Sequence, residues 1–230
     1  MNDSNSNNPD GNVIFSGTKE VAENLKFNEA GLQEWFGDSI SSAGKILKIA
    51  QFKGGQSNPT YKITTEKQQF VLRRKPPGIL LPSAHAVDRE YKVMTALQQT
   101  EVPVPKTYGL CEDEDVIGTP FFVMDFLDGN IYWDLLLGDK SPAERSDIYA
   151  SKNNVIAQLH MVDYESVGLS DYGKPGNYIA RQVSRWTKQY VASETQNIPA
   201  MNNLIDWLPS NIPDEDETSI VHGDYRLDNM

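Results

Sequence analysis

The sequence predicts an α+β fold with a sheet-rich first half and a helical second half. Three early segments alternate apolar and polar side chains, as in an antiparallel meander. They are residues 45–52, 60–66 and 68–75. Three later segments are predicted helices, at residues 141–163, 178–193 and 201–213. The first of these helices opens with Ser141-Pro-Ala-Glu, a capping-box sequence with proline at the first helical position.

The other elements follow in chain order. A short helix is expected to end around residues 31–37, and two prolines end the meander because proline cannot continue a hydrogen-bonded ladder. Residues 84–99 have apolar side chains at helical spacing, with Ser83 as a plausible N-cap. Two more strands are predicted in residues 102–115 and 119–129, which gives the order β-β-β-α-β-β.

The change in pattern near Asp128 suggests a division of the chain. We expect a disordered tail at residues 1–26, a sheet-rich part at 27–128 and a helical part at 129–230. Trp133, Trp186 and Trp207 could be core, acceptor-site or interface residues, and a core position is the simplest explanation for each of them.

Composition limits the function. The 230 residues carry a net charge of −11, which argues against a surface for nucleic acid. No apolar run reaches the length of a membrane helix. A single cysteine, Cys111, excludes an internal disulfide and favours a reducing compartment, so we expect a cytoplasmic protein.

The last twelve residues, SIVHGDYRLDNM, contain the most specific motif. After a predicted apolar strand, His222, Asp224 and Asn229 form the pattern H-x-D-x-x-x-x-N. An aspartate can accept the proton of an attacking hydroxyl, and an asparagine oxygen five residues later can bind Mg²⁺. Arg226 could face a phosphoryl group, or could be an ordinary surface arginine. A surface turn is the alternative for the whole motif.

Two further features suit a nucleotide. In the loop FKGGQSNPTY, the residues Gly54, Gly55, Ser57 and Asn58 could cover phosphates, although a glycine pair is also common in plain hairpin turns. Arg73 lies on the third predicted strand and Glu90 on the following helix, so the arginine could bind phosphates while the carboxylate holds it by an ion pair. A strand arginine or a helix glutamate alone is usually solvated, so the prediction depends on the combination.

Taken together, these motifs resemble the aminoglycoside phosphotransferase and choline kinase-like superfamily, which has the protein-kinase fold. The matching segments are GGQSNPTY, FVLRRKPPG, SAHAVDREYKVMTAL, PFFVMDFLDG and HGDYRLDN, and the resemblance covers about residues 27–230. The sequence is most similar to the phosphotransferase domain fused to acyl-CoA dehydrogenases and to free-standing bacterial relatives of that domain.

The resemblance implies ATP and Mg²⁺ as cofactors and assigns roles to individual residues. Asp224 takes the place of the catalytic base, Asn229 that of a magnesium ligand, and Arg73 with Glu90 that of the nucleotide-phosphate pair. Many relatives have lysine where this chain has Arg73. The hinge that contacts adenine through its backbone falls at Met124, Asp125 and Phe126.

The resemblance also predicts a departure. Family members bind magnesium with one more aspartate on a later strand, beyond Met230, and then continue with further helices. We therefore expect an incomplete helical lobe, and little activity from the 230 residues alone.

Two functions remain open from the sequence. The first is an ATP-dependent phosphotransferase that acts on a hydroxyl of a small molecule, with a hydroxy-acyl compound as the implied class. The second is a non-catalytic nucleotide-binding or interaction module with the same fold.

Overall fold

The computed structural model describes residues 16–54, 58–78, 85–214 and 217–230. Within these ranges it contains six strands and six α-helices. The strands are β1 (Thr18–Lys19), β2 (Ile46–Phe52), β3 (Thr60–Thr65), β4 (Gln69–Arg74), β5 (Thr107–Cys111) and β6 (Phe121–Asp125). The helices are α1 (Glu29–Ser39), α2 (Val87–Leu97), α3 (Glu114–Ile117), α4 (Pro142–Met161), α5 (Tyr178–Ser193) and α6 (Pro199–Trp207).

The strands form one antiparallel sheet in the order β1-β2-β3-β4-β6-β5. The predicted meander is therefore confirmed as β2, β3 and β4. In the sheet register Arg73 lies between Thr60 on one side and Phe122 on the other. This register places the predicted phosphate-binding arginine in the middle of the sheet rather than at an edge.

The core forms where α1 covers one face of the sheet. Leu32 and Phe36 of α1 are fully buried, as are Tyr61 and Phe70 of the strands. The rings of Phe36 and Phe70 meet edge to face with their centroids 5.4 Å apart. This apolar contact packs α1 on one face of the sheet. The Arg73 side chain, described below, lies on the other face.

The helix starts differ in how far the sequence predicted them. At α4 the capping box is confirmed, because the Ser141 amide donates to Glu144 Oε2 at 2.8 Å and the Glu144 amide donates to Ser141 Oγ at 3.3 Å. At α2 the predicted start is too early. The helix begins at Val87, because His85 has a left-handed backbone with φ of 59° and cannot join it. Ser83 lies outside the described residues.

Three other expectations need correction. Within the predicted tail, Thr18–Lys19 forms a strand that pairs with β2, whereas residues 1–15 lie outside the described residues. The acidic segment expected to extend a strand turns into α3, where Asp113 caps the helix by accepting from the Asp115 amide at 2.9 Å. The strand predicted directly before His222 is absent from the described residues, where residues 219–221 pair with no strand.

The chain divides into two compact units, one of residues 1–159 with 221–230 and one of residues 160–220. The boundary predicted near Asp128 does not coincide with the limits of these units, and a lobe boundary at that position stays a prediction. In the second unit Trp186 is 62% exposed and Trp207 in α6 is 56% exposed, so the expectation that they are core residues is wrong. No helix among the described residues has the length and apolarity needed to cross a membrane.

Candidate active site

The motif H-x-D-x-x-x-x-N folds into a compact loop that brings Asp224 and Asn229 together. Asn229 Nδ2 donates to Asp224 Oδ2 at 2.7 Å and to the Asp224 carbonyl at 3.1 Å. Gly223 has a φ of 83°, a left-handed conformation that glycine adopts without strain. Because the amide nitrogen faces Asp224, the Oδ1 of Asn229 is the acceptor that the side chain can offer to a cation.

Arg226 contacts two acidic side chains within the same loop. Its Nε lies 3.2 Å from Asp224 Oδ1, and its Nη2 lies 3.0 Å from Asp228 Oδ2. The sequence left open whether Arg226 faces a phosphoryl group or solvent. In the structure it is half-exposed beside Asp224, so Asp224 is contacted through both carboxylate oxygens, by Arg226 and by Asn229.

The loop is attached to α4 by Tyr225. The Tyr225 hydroxyl donates to the carbonyl of Lys152 at 2.7 Å, and burial raises the pKa of this phenol. Leu227, in a short 3-10 turn at Leu227–Asn229, is buried with 4% of its surface exposed. The Tyr225 bond holds the loop against the long helix, while Asp224 stays open to solvent.

The second half of the candidate site lies where β4 meets α2. Arg73 Nε donates to Glu90 Oε2 at 2.5 Å, and Arg73 Nη2 lies 3.4 Å from Glu90 Oε1. Arg73 Nη1 also donates to Thr60 Oγ1 at 3.3 Å. Both charged side chains are partly buried, at 28% and 36% exposed. The structure thus forms the ion pair on which the nucleotide prediction depends.

The glycine loop is only partly described. Gly54 follows β2, whereas Gly55 and Ser57 lie outside the described residues. Asn58 is 2% exposed, and its amide nitrogen donates to Glu90 Oε1 at 3.0 Å. Its side chain therefore bonds to the ion pair, a contact that the sequence did not predict.

The predicted hinge spans the end of β6, with Met124 and Asp125 in the strand and Phe126 directly after it. Met124 pairs with Val71 in the sheet, and the Asp125 carboxylate accepts from the Tyr108 hydroxyl at 2.7 Å. The ring of Phe126 stacks on Phe52, with centroids 6.3 Å apart and planes 22° apart. Phe52 ends the strand that leads into the glycine loop, so the stacking places the predicted hinge next to the base of that loop.

Four further side chains contact the predicted site residues and were not predicted from the sequence. His85 contacts Asn58, Thr60 contacts Arg73, Tyr225 anchors the loop and Asp228 binds Arg226. Only Asp228, two residues from Arg226, could have been suggested from spacing. The other three make contacts between residues 13 or more positions apart, which no local pattern predicts.

The match to a family model decides the relationship of this chain to known proteins. The model of the phosphotransferase enzyme family matches residues 48–230. The chain belongs to this family. The match extends from β2 to Met230, so it includes both the Arg73–Glu90 pair and the Asp224–Asn229 loop.

Among curated proteins, similar sequences occur as parts of larger chains. Acyl-CoA dehydrogenase family member 10 of Mus musculus is 50% identical over 184 residues, which are 80% of this chain and 17% of that protein. Acyl-CoA dehydrogenase family member 11 of Homo sapiens is 46% identical over 223 residues, 94% of this chain and 29% of that protein. The chain thus spans less than a third of the length of either relative.

Solved structures confirm the predicted α+β, protein-kinase-like fold. A protein from Ralstonia eutropha, described as a candidate aminoglycoside phosphotransferase, is 54% identical with a TM-score of 0.79, over 89% of this chain and 60% of that one. The GDP complex of aminoglycoside 2′-phosphotransferase-IIIa gives a TM-score of 0.54 at 14% identity, over 80% of this chain and 58% of that one. This second likeness concerns the fold alone.

Proposed function

We propose that this chain forms the nucleotide-binding and base-carrying part of an ATP-dependent phosphotransferase that acts on a hydroxyl of a small molecule. The Arg73–Glu90 ion pair is the observation that carries the proposal. A guanidinium fixed by a carboxylate presents its remaining N–H groups in a planar fork, which suits phosphate oxygens. The pair also lies next to the glycine loop that leads from β2 to β3.

Asp224 serves as the base for the acceptor. The hydroxyl oxygen attacks the γ-phosphorus, the bond from that phosphorus to the β–γ bridging oxygen breaks, and ADP leaves. The hydroxyl proton passes to the Asp224 carboxylate. Asn229 and Arg226 orient that carboxylate through its two oxygens, as their contacts of 2.7 and 3.2 Å support.

Magnesium fits the donor chemistry of this loop. Asn229 can offer its amide Oδ1, and carboxylates lie beside it at Asp224 and Asp228, all hard oxygen donors of the kind Mg²⁺ prefers. When bound, the ion neutralises the charge of the β- and γ-phosphates. We assign Asn229 as its ligand in this chain.

A hydroxy-acyl compound is the acceptor class that we propose. Its support is indirect, because similar sequences occur within proteins named acyl-CoA dehydrogenases. The part of those proteins that matches this chain would then act on the same class of acyl compound as the part that gives them their name.

Transfer of a labelled γ-phosphate from ATP to a panel of hydroxy-acyl compounds tests the proposal, in this chain and in a full-length relative. We expect Asp224→Asn to abolish transfer and leave ATP binding within about twofold, because an amide cannot accept the hydroxyl proton. Asp139→Asn is the matched control, since Asp139 is exposed and pairs only with Lys140 among its described contacts. Transfer by Asp224→Asn at the unmodified rate would refute the base assignment. ATP binding without transfer in the full-length relative would favour a nucleotide-binding module.

A further inference from the structure

A series of hydrogen bonds reaches the Arg73–Glu90 pair at Glu90 Oε1. Asn58 Nδ2 donates to Glu90 Oε1 at 3.0 Å, and His85 Nδ1 lies 2.8 Å from Asn58 Oδ1. Asn58 is 2% exposed, so its amide must find its partners within the protein. These hydrogen bonds therefore connect His85 and Asn58 to the carboxylate that holds Arg73.

The chemistry of the side chains sets the donor and the acceptor of each hydrogen bond in this series. A carboxylate oxygen can only accept, so the atom of Asn58 that faces Glu90 must be the NH₂ group. The Oδ1 of Asn58 then faces His85, and an amide oxygen also only accepts. It follows that the Nδ1 of His85 carries a proton. The contact thus selects one of the two neutral tautomers of this histidine.

The backbone of His85 is in a conformation that few residues adopt. Its φ of 59° is left-handed, which costs a residue other than glycine free energy unless the surroundings require it. The next helix begins directly afterwards, with the Val87 amide donating to the His85 carbonyl at 2.9 Å. This backbone position therefore places the ring beside Asn58 while α2 carries Glu90 to the same point.

We propose that His85 and Asn58 are positioning residues that hold Glu90 through Oε1, so that Oε2 accepts from Arg73 Nε. The proposal rests on the proposed function, because positioning Arg73 matters only if the guanidinium binds a nucleotide phosphate. Through its side chain, Asn58 ties the end of the glycine loop to Glu90 of α2.

Two matched variants separate the hydrogen bond from the fold. In His85→Asn the side-chain nitrogen can take the place of Nδ1, and in His85→Asp an oxygen that only accepts takes the same place. Asparagine and aspartate are both tolerated in the left-handed region, so backbone strain is matched. We expect His85→Asn to keep the affinity for MgATP within about twofold and His85→Asp to weaken it about tenfold, as Arg73 loses its fixed partner.

NMR spectroscopy of the histidine rings tests the hydrogen bond between His85 and Asn58 and does not depend on phosphotransferase activity. The protein has three histidines, so ¹H–¹⁵N spectra of the imidazoles can be assigned with one His85 variant. At about pH 8, where an ordinary histidine is neutral, we expect His85 to carry its proton on Nδ1. In Asn58→Ala this preference should be lost, while the signals of His160 and His222 stay unchanged.

The outcomes distinguish this inference from the proposed function. A proton on Nε2 of His85 in the unmodified protein would overturn the chain of bonds, whatever the nucleotide affinity. An Nδ1 proton together with equal affinity for MgATP in His85→Asn and His85→Asp would overturn the positioning role. If the unmodified protein binds no MgATP, the proposed function and the positioning role both fail, and the ring spectra still decide whether the bonds exist.

Discussion

At the scale of single residues, two adjacent arginines of β4 have opposite roles. Arg73 faces Glu90, whereas Arg74 is 2% exposed and its Nη2 donates to the Leu25 carbonyl at 3.0 Å. Successive side chains of a strand point to opposite faces, so the sequence predicts that the two arginines separate. Which of them belongs to the site depends on which face α1 covers, and strand alternation alone does not decide that.

Replacing Arg74 should lower stability. Its guanidinium lies 5.1 Å from the ring of Phe27 and its Nη1 donates to the Ile117 carbonyl at 3.4 Å. Arg74→Ala should reduce the free energy of unfolding by about 2–4 kcal/mol, because it leaves a cavity, removes the side-chain donor to the Ile117 carbonyl and leaves the Leu25 carbonyl with the Tyr61 hydroxyl alone. Arg74→Met should cost less, since it fills part of the volume. Urea denaturation measures both, and an Arg74→Ala variant as stable as the unmodified protein would contradict the packing described.

The candidate site could be predicted from the sequence where spacing carries the chemistry. The Asp224–Asn229 contact follows from a fixed spacing of five residues within one loop, and the structure shows it at 2.7 Å. The His85–Asn58 contact joins residues 27 positions apart through a left-handed backbone. Nothing in the local sequence indicates that backbone, since histidine has no strong preference for it.

At the scale of elements, α1 offers a matched pair of glycines. A Cβ on Gly31 would lie 2.5 Å from the Val116 carbonyl oxygen of α3, whereas a Cβ on Gly37 would have nothing within 4 Å. Gly31→Ala should destabilise the protein by about 1–3 kcal/mol, since either helix must shift. Gly37→Ala should stabilise it by roughly 0.5–1 kcal/mol through helix propensity. Thermal unfolding measures both, and equal effects of the two substitutions would contradict the close approach of α1 to α3.

Elements defined by local rules were predicted, and elements defined by distant partners were not. The meander and the α4 capping box depend on alternation and on a pattern of four residues, so the sequence contains the needed information. The two-residue strand β1 exists because β2 has a free edge beside it. Residues 219–221 have the apolar character of a strand but no strand partner among the described residues, and a strand needs a partner to satisfy its backbone groups.

At the scale of the whole molecule, Cys111 should make stability depend on pH. The thiol is 5% exposed, and burial raises its pKa, with smaller contributions in the same direction from the nearby charges of Asp113 and Glu112. Above about pH 8.5 the unfolded chain loses the thiol proton while the folded chain keeps it. The free energy of unfolding should therefore fall as pH rises past this point, by at most about 1.36 kcal/mol per pH unit, until the folded thiol also ionises.

Urea denaturation at about pH 7.5 and pH 9.5 measures this dependence on either side of the ordinary thiol pKa. Cys111→Val is the control, because it keeps an apolar side chain of similar size and cannot ionise. Between the two pH values, the free energy of unfolding of the unmodified protein should fall relative to that of Cys111→Val. A constant difference would show that the thiol has an ordinary pKa in the folded protein.

Calorimetric titration of the chain with MgATP tests the proposal that Arg73, held by Glu90, binds the phosphates of a nucleotide. We expect saturable binding that Arg73→Lys weakens only modestly, because lysine keeps the charge but loses the planar fork, and that Arg73→Ala weakens by about a hundredfold. Lys140→Ala, which removes a cation paired with Asp139, should bind as the unmodified protein does. Absence of MgATP binding, or equal binding by Arg73→Ala, would refute this role of Arg73.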